Sequence, residues 1–391
     1  MEPIPYGRQH ITQDDIDAVV ATLQSDFLTQ GPKVAEFEQS FANYVGAKYA
    51  VAVSNGTAAL HLCAMALGVN EKSRVITTPI TFVASANCVR YCGGTIEFVD
   101  IDPTTALLDI NKVRALLESK PKGYYTGIIP VDFAGNTVNL EEFRKLADEY
   151  GLWIIEDACH APGGYFIDSN GEKQLCGNSN YADLAIFSFH PVKHIATGEG
   201  GMITTNDEAL YQKLLLYRTH GITRDPQLLE ENHGPWYMEM QELGYNYRIP
   251  DMLCALGISQ LQRADAGLAR RRGIAKVYDE AFAYVDGIEI LQTATEALQE
   301  DSETGHAYHL YVIKVADRKG LYDFLRTHNI FAQVHYIPAH TMPYYRDLGF
   351  KKGDYPEAEL YYSQCLSLPM YPSLTAEEQE FVIEKVKEFV K

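Results

Sequence analysis

A lysine in a tight polar loop is the residue of this sequence best suited to covalent chemistry. Lys193 follows the apolar run 187–189 (FSF) and precedes a second β-rich run that begins at Met202. An ammonium group held in such a loop loses hydration, and desolvation lowers the pKa of a lysine. A lysine with a lowered pKa is nucleophilic and can form an imine with a carbonyl compound. Taken alone, the pattern also fits a solvated loop charge.

The glycines after this lysine must be distinguished from a nucleotide-binding loop. Gly198, Gly200 and Gly201 lead into another strand-like run, whereas a dinucleotide fingerprint needs a strand, then glycines, then a helix. We therefore expect these glycines to supply the positive φ angles of a β-hairpin. Because no G-x-G-x-x-G follows a strand and opens a helix, an NAD-dependent oxidoreductase is disfavoured.

A carboxylate is predicted at the edge of the same sheet. The run 156–160 (EDACH) follows residues 152–155 (LWII), an apolar strand without alternation that is typical of burial on both faces. Ligands of open α/β sheets bind beyond the carboxyl ends of the strands. Asp157 could there pair with a protonated pyridine nitrogen, as in pyridoxal phosphate (PLP), and make the ring an electron sink. The alternative is a cap for the following segment.

Three further segments could bind an anion or a planar ring. Gly56 and Thr57 follow capping residues and open a helix, whose N-terminus attracts anions. Phe82 could stack on a ring or belong to the ordinary core. Asn246 or Arg248 could reach an anion or lie in a turn. The combination of these segments with the lysine loop is what indicates a site.

Composition excludes several classes of protein. The chain has 391 residues, enough for two domains, and its net charge of −19 argues against nucleic acid or anionic membranes as partners. The N-terminus lacks the features of a signal peptide, and no apolar run approaches the ~20 residues of a membrane span, so we expect a cytoplasmic protein. The seven cysteines fit no disulfide or metal framework, and no metal site is predicted. No G-x-S-x-G nucleophile motif occurs.

Alternating short apolar runs and helical patterns between about residue 11 and residue 260 predict a mostly parallel α/β sheet with crossover helices. We predict strands at 49–53, 74–78, 95–99, 127–131 and 152–155, and helices at 57–67, 84–91, about 111–118, 140–150 and about 251–285. Strands at 307–315 and 331–336 and a terminal helix from residue 376 indicate a smaller α/β domain. We place the large domain at 1–260 and the smaller one at 261–391.

Six motifs, in this order, resemble the DegT/DnrJ/EryC1/StrS sugar aminotransferases. They are SNGTAAL (54–60), TPITFVAS (78–85), EDACHA (156–161), FSFHPVK (187–193), TGEGG (197–201) and GYNYR (244–248). The resemblance extends from TQGP (29–32) to LP (368–369). It implies the fold type I, aspartate-aminotransferase-like architecture of PLP-dependent transferases, and it implies a transaminase (EC 2.6.1 class).

The same resemblance implies roles for residues around the cofactor ring. Lys193 would bond covalently to PLP and then move a proton between the substrate carbon and the cofactor. Asp157 would bind the pyridine nitrogen, and His160 would lie near the ring and its hydroxyl. Phe82 would stack on the ring. Some dehydratase relatives have a histidine at the lysine position, so the lysine favours amino transfer.

Groups from two subunits would hold the phosphate of the cofactor. Within one chain, Gly56, Thr57 and Ser188 match the positions that bind it in the family. Asn246 would reach the phosphate bound in the neighbouring subunit. This last expectation implies a homodimer with shared active sites.

The finer pattern is most similar to the aminotransferases of pseudaminic acid biosynthesis. It comprises FSFHPVK with TGEGG, the loop 164–181, and HGPWYMEMQELGYNYR (233–248). Those enzymes convert a UDP-linked 4-keto-6-deoxy-N-acetylhexosamine to UDP-4-amino-4,6-dideoxy-N-acetyl-β-L-altrosamine. The usual donor is L-glutamate, which leaves as 2-oxoglutarate. Arg248, His335 and Tyr336 would contact the substrate, and His340 would border the same site.

Other interpretations of the sequence stay open. The substrate could be the D-configured UDP-4-keto sugar or another nucleotide-linked keto sugar. The chain could be a PLP-dependent sugar dehydratase, in which case glutamate would yield no 2-oxoglutarate. It could also be a cofactor-free binding protein that retains the fold, in which case the purified protein would be colourless.

Overall fold

The computed structural model describes residues 2–294 and 304–391. The strands in these ranges are β1 (Ile4–Pro5), β2 (Tyr49–Val53), β3 (Arg74–Thr77), β4 (Thr95–Phe98), β5 (Gly127–Ile129), β6 (Trp153–Asp157), β7 (Tyr165–Ile167), β8 (Lys173–Leu175), β9 (Leu184–Ser188), β10 (Gly201–Thr205), β11 (Ile222–Thr223), β12 (Glu239–Met240), β13 (Glu289–Ile290), β14 (Tyr311–Lys314), β15 (Ile330–Phe331) and β16 (Cys365–Leu368). The α-helices are α1 (Gln13–Leu23), α2 (Pro32–Val45), α3 (Gly56–Ala66), α4 (Ala84–Tyr91), α5 (Ile110–Glu118), α6 (Leu140–Tyr150), α7 (Glu208–Arg218), α8 (Asp251–Leu261), α9 (Ala264–Phe282), α10 (Arg318–Thr327), α11 (Pro343–Asp347), α12 (Pro356–Gln364) and α13 (Ala376–Val390).

A seven-stranded mixed sheet forms the centre of the molecule. Its strand order is β2-β10-β9-β6-β5-β3-β4, in which β10 runs antiparallel to β2 and β9 and the remaining neighbours are parallel. Ile128 of β5 and Ile154 and Ile155 of β6 are fully buried, because the sheet packs against other elements on both faces. The predicted fold class, a large mostly parallel sheet with a smaller C-terminal α/β part, is confirmed.

The two strands that flank Lys193 form the predicted hairpin, but the expectation that all three following glycines supply its positive φ angles is wrong for Gly200 and Gly201. Strands β9 and β10 pair antiparallel, with Gly201 opposite Ser188. Of the three glycines in this segment, Gly198 has a positive φ, 84°, and the other two do not. The connection between the strands runs from Phe189 to Gly200, so it is a long loop in which a single residue needs the left-handed region, rather than a tight turn.

The second sheet has the antiparallel order β13-β14-β16 and packs with α10 and α13. The strand predicted at 307–315 is confined to β14, because Ala307 and Leu310 donate their N–H groups to the turn at Gly135 and Ala134 instead of to a neighbouring strand. The strand predicted at 331–336 is likewise confined to β15, which pairs with β1. The terminal helix from residue 376 is present as α13.

The long helical pattern at 251–285 is two helices, α8 and α9. Arg263, which lies between them, has φ −116° and ψ 14°. Its side chain donates to the carbonyl oxygen of His10 and to the buried carboxylate of Asp15, so the break ties the N-terminal segment to α8. The predicted domain boundary at 260/261 falls at the end of α8 and stays a prediction. No helix within 2–294 or 304–391 has the length and apolarity needed to cross a membrane.

Candidate active site

A cavity of about 680 Å³ opens at the carboxyl edge of the central sheet. This volume lies in the usual range of small-molecule sites. The cavity brings together most of the site residues predicted from the sequence: Gly56, Thr57, Phe82, Asp157, His160, Ser188, Lys193, His335 and Tyr336. Asn246 and Arg248 do not line it.

Lys193 lies in the loop that follows β9, where its N–H donates to the carbonyl oxygen of His190. Its Nζ atom lies 3.4 Å from Nε2 of His309. Burial lowers the pKa of Lys193 to about 8; the charges of Cys159 and Asp157 oppose this shift. Lys193 is half-buried at the cavity wall, so the partly desolvated lysine inferred from the sequence is present in place of a fully solvated loop charge.

Asp157 is the last residue of β6, and its carboxylate is almost completely buried. Ser85 Oγ donates to Oδ2 over 2.6 Å, and the N–H of Cys159 donates to Oδ1 over 3.2 Å. The hydroxyl of Ser85 is itself 2.8 Å from that of Thr81. The local cap considered from the sequence thus occupies one oxygen, while a serine from α4 orients the other.

The hydrogen bonds of His160 define its tautomer. Nδ1 accepts a hydrogen bond from the N–H of Ala134 over 3.1 Å, and Nε2 lies 3.1 Å from the hydroxyl of Tyr336. Burial lowers the pKa of His160 well below its usual range, so the ring is neutral and its single proton is on Nε2. His160 therefore donates to Tyr336, and the hydroxyl hydrogen of Tyr336 is left for another acceptor.

The N-terminus of α3 forms a cradle of the kind that binds anions. The side chain of Asn55 caps the helix by accepting from the N–H of Ala58 over 2.8 Å. The N–H groups of Gly56 and Thr57, in the first turn, have no acceptor within the helix. A Cβ atom at Gly56 would lie 3.0 Å from Cβ of Ser188, so only glycine leaves this cradle open. The donors and the shape fit a phosphate group.

Phe82 lies at the rim of the cavity. Its side chain is 60% exposed, so the alternative that it belongs to the ordinary core is wrong. Its ring centroid lies 6.4 Å from that of Tyr336, with the planes inclined by 58°. An exposed aromatic face over a cavity is available to stack on a planar ligand.

Asn246 and Arg248 lie on the surface outside the cavity. Arg248 donates to Oδ1 of Asn246 over 2.9 Å and to Oε1 of Gln30 over 2.8 Å. The expected position of His340 at the site is wrong: it is fully buried and bonds Glu359 over 3.0 Å. Nε2 of His340 is therefore hydrogen-bonded to the Glu359 carboxylate of α12 and is not available to a substrate.

Tyr6, Ser85 and Tyr247 are cavity residues for which no role was predicted, and His309, which contacts Lys193 without lining the cavity, was also missed. Ser85 has a signal, since it lies within the TPITFVAS motif at the start of the predicted helix 84–91. Tyr247 lies within the GYNYR motif, whereas Tyr6 and His309 reach the site through tertiary contacts from distant segments.

The chain is similar to known proteins over nearly its whole length. The sequence pattern of the DegT/DnrJ/EryC1/StrS aminotransferase family matches residues 9–387. The UDP-4-amino-4,6-dideoxy-N-acetyl-beta-L-altrosamine transaminase of Campylobacter jejuni is 37% identical over 98% of each chain. The structure of Helicobacter pylori PseC, an aminotransferase of pseudoaminic acid biosynthesis, matches with a TM-score of 0.86 and 29% identity over 99% of each chain.

The chain is also similar to a protein whose structure is solved in its PLP form. The PLP-form of the putative sugar aminotransferase Spr1654 from Streptococcus pneumoniae matches with a TM-score of 0.86 and 28% identity over 100% of each chain. The cradle at α3, the buried carboxylate and the desolvated lysine fit the phosphate, the ring nitrogen and the aldehyde of that cofactor. The chain is a PLP-dependent sugar aminotransferase with the fold type I architecture, and it belongs to the DegT/DnrJ/EryC1/StrS aminotransferase family.

Proposed function

We propose that this aminotransferase converts a UDP-linked 4-keto-6-deoxy-N-acetylhexosamine to UDP-4-amino-4,6-dideoxy-N-acetyl-β-L-altrosamine, with L-glutamate as amino donor. The observation that carries the chemistry is the single cavity shared by the Lys193 amine, the Asp157 carboxylate and the N-terminus of α3. The choice of substrate is supported by the similarity to the C. jejuni transaminase, whose name contains this product.

The residues of the cavity have separable tasks in this proposal. Bound PLP supplies a ring that withdraws electrons from the carbon that gains or loses the amine. Asp157 keeps the ring nitrogen protonated, since Ser85 and the backbone hold its carboxylate in place. Gly56, Thr57 and Ser188 bind the phosphate.

Lys193 is the group that bonds to the cofactor and moves protons. Its lowered pKa leaves a useful fraction of neutral amine near pH 7.5, which can attack the cofactor aldehyde. Once released, the same amine can take a proton from the donor carbon, or return one to C4 of the sugar. Positioned acid–base groups of this kind typically contribute ~10²–10⁴-fold to a rate.

Further side chains bind the ring and the sugar. Phe82 would stack on the ring of the cofactor, and His160 would lie near its hydroxyl. Tyr336 and His335 contact the sugar nucleotide, whereas Arg248 lies outside the cavity of its own chain and its contact with the substrate stays a prediction. Tyr336 is suited to this role because it accepts from His160 and can direct its own hydrogen towards a substrate oxygen.

We further propose a homodimer in which Asn246 completes the phosphate site of the neighbouring subunit. Asn246 is exposed and lies outside its own cavity. Exposed apolar side chains occur in the segment just before Asn246. Others lie just before Gln30, whose side chain accepts a hydrogen bond from Arg248. They are Phe27, Leu28, Trp236, Met240 and Leu243, with 54%, 45%, 72%, 66% and 72% of each side chain exposed. Apolar groups that concentrate in this way are typical of a protein interface.

The test is an assay with defined sugars. Purified protein is incubated with PLP, L-glutamate and each of the two C5-epimeric UDP-4-keto sugars, and the products are assigned by NMR. We expect 2-oxoglutarate and the β-L-altro product; conversion of the D-configured epimer alone would select the alternative substrate. Lys193→Ala should abolish turnover. Loss of the sugar oxygen without 2-oxoglutarate would instead indicate a dehydratase, and a colourless protein that fails to bind PLP would contradict any catalytic function.

A further inference from the structure

A histidine from the C-terminal part of the chain contacts the amine of Lys193. His309 is 4% exposed, and its Nε2 atom lies 3.4 Å from Nζ. Its ring packs against that of His160, with centroids 4.3 Å apart. Burial, reinforced by the charge of Lys193, lowers the pKa of His309 well below its usual range. An ammonium group has three donors and no lone pair, so the neutral imidazole must accept at Nε2.

The other nitrogen of this ring has no evident structural purpose. With Nε2 as acceptor, the proton of the neutral ring of His309 is on Nδ1. Nδ1 is buried and has no hydrogen-bond partner among residues 2–294 and 304–391. Buried polar atoms are nearly always paired, and an unpaired one destabilises the fold. A histidine retained here despite that cost is explained if the Nε2 contact with the lysine serves the reaction.

The backbone around His309 is held from two directions. The guanidinium of Arg271 is fully buried and donates to the carbonyl oxygens of Tyr308 and His309 over 3.1 and 3.3 Å. The N–H of Leu310 donates to the carbonyl oxygen of Ala134, whose own N–H donates to Nδ1 of the cavity residue His160. These bonds fix the position from which the imidazole meets the lysine.

We propose that His309 is a positioning residue: its Nε2 accepts a hydrogen bond from the amine of Lys193 and holds that amine at the cavity wall while it is not bonded to PLP. Amino transfer frees the lysine in each half of the reaction, and a free side chain with four rotatable bonds would otherwise sample many positions. The contact keeps the amine close to the atoms between which it must move protons. This inference rests on the proposed role of Lys193.

The test compares an acceptor with an apolar group at position 309. His309→Gln offers an amide oxygen, whereas His309→Leu offers none. His306→Gln is the matched control, because His306 is also buried but bonds the N–H of Tyr308 rather than the lysine. Each protein is stripped of PLP and mixed with it again. The rate of covalent attachment to Lys193 is measured by borohydride quenching and peptide mass spectrometry, and kcat, KM and Tm are recorded.

We expect His309→Leu to slow attachment and to lower kcat by at least about tenfold, since small misplacements of a reacting group can cost up to ~10²-fold. His309→Gln and His306→Gln should stay within about threefold of the wild type, with KM and Tm little changed for all three variants. Wild-type rates for His309→Leu, or equal losses in all three with a lowered Tm, would overturn the proposal. If wild-type protein shows no reduced adduct on Lys193, the proposed function itself fails.

Discussion

At the scale of single residues, the reaction depends on how much of Lys193 is uncharged. At pH 7.5 a pKa of about 8 leaves roughly a quarter of the amine neutral, compared with roughly one part in a thousand for an ordinary lysine. Burial causes this shift and Arg271 adds to it, while Asp157 and Cys159 oppose it. The environment thus makes the amine available at physiological pH.

This shift predicts a pH profile. Because the neutral form attacks PLP, attachment to the cofactor-free protein should accelerate about tenfold per pH unit below pH 8 and level off above it. The measurement is stopped-flow absorbance with borohydride trapping, and Nα-acetyl-lysine in the same buffers is the control, whose rate should keep rising to about pH 10. A protein profile that also keeps rising to pH 10 would contradict the lowered pKa of Lys193.

Ser85 gives a second prediction at this scale. Ser85→Ala removes the 2.6 Å hydrogen bond to Asp157, and a bond to a charged group is worth about 1.5–3 kcal/mol. We expect kcat to fall by roughly tenfold or more, with a smaller effect on the KM for the sugar. Thr81→Val, which removes a hydroxyl that contacts Ser85 but not Asp157, is the milder control. Unchanged kcat and PLP affinity in Ser85→Ala would show that the carboxylate needs no such support.

At the scale of elements, local patterns predicted the sheet that presents the site. Helix α6 has the predicted bounds 140–150 because Asn139 caps its N-terminus and Gly151 its C-terminus. Strand β2 has the predicted bounds 49–53 because it consists of apolar residues. The residues missed are of another kind. His309 reaches Lys193 because its neighbours Ala307 and Leu310 bond to a turn about 175 residues earlier in the chain and its own carbonyl oxygen accepts from Arg271. No local periodicity reports such contacts.

The ends of β5 and β6 are joined by a buried acidic pair. Asp132 accepts from the N–H of Val138, and Glu156 from the N–H of Gly177, each over 2.9 Å. One oxygen of each carboxylate has no hydrogen-bond partner among the described residues. Oxygen atoms of the two carboxylates and Sγ of Cys176 lie within 4.8 Å of one another. Burial raises the pKa of Asp132 to about 7, and burial with the charge of Asp132 raises that of Glu156 well above its usual range. We interpret the pair as sharing one proton.

This pair predicts how stability changes with pH. Raised carboxyl pKa values mean that the folded protein holds more protons than the unfolded chain between about pH 4 and 7, so the pair's contribution falls as pH rises through that window. In Asp132→Asn, the new amide can donate a hydrogen bond to the Glu156 carboxylate. The stability of this variant should therefore fall less as the pH rises. Relative to wild type, its Tm should gain about 2–4 °C between pH 5 and pH 8, the shift for about 1 kcal/mol. The exposed control Asp286→Asn should show no such gain; a constant difference in Asp132→Asn would exclude the shared proton.

At the scale of the whole molecule, the net negative charge opposes self-association, so the proposed dimer would depend on the exposed apolar side chains near Asn246. The net charge of −19 keeps the chain soluble and discourages anionic macromolecules. Binding of an anionic cofactor therefore depends on local donors, chiefly the amides at the start of α3. In the proposed dimer Asn246 would add a donor from the neighbouring subunit, because it does not line the cavity of its own chain.

A mixture of two inactive variants tests this arrangement. Lys193→Ala removes the reactive amine, and Asn246→Asp places a negative charge beside the phosphate, so each homodimer should be nearly inactive. If Asn246 serves the neighbouring subunit, a mixed dimer has one cavity with both defects and one with neither. Random assembly makes half of the dimers mixed, each with one intact site of two, so co-refolded equimolar variants should recover about one quarter of wild-type activity. A mixture that stays inactive while size-exclusion light scattering shows mixed dimers would mean that Asn246 acts within its own chain, and an active Asn246→Asp homodimer would mean that Asn246 has no role in the site.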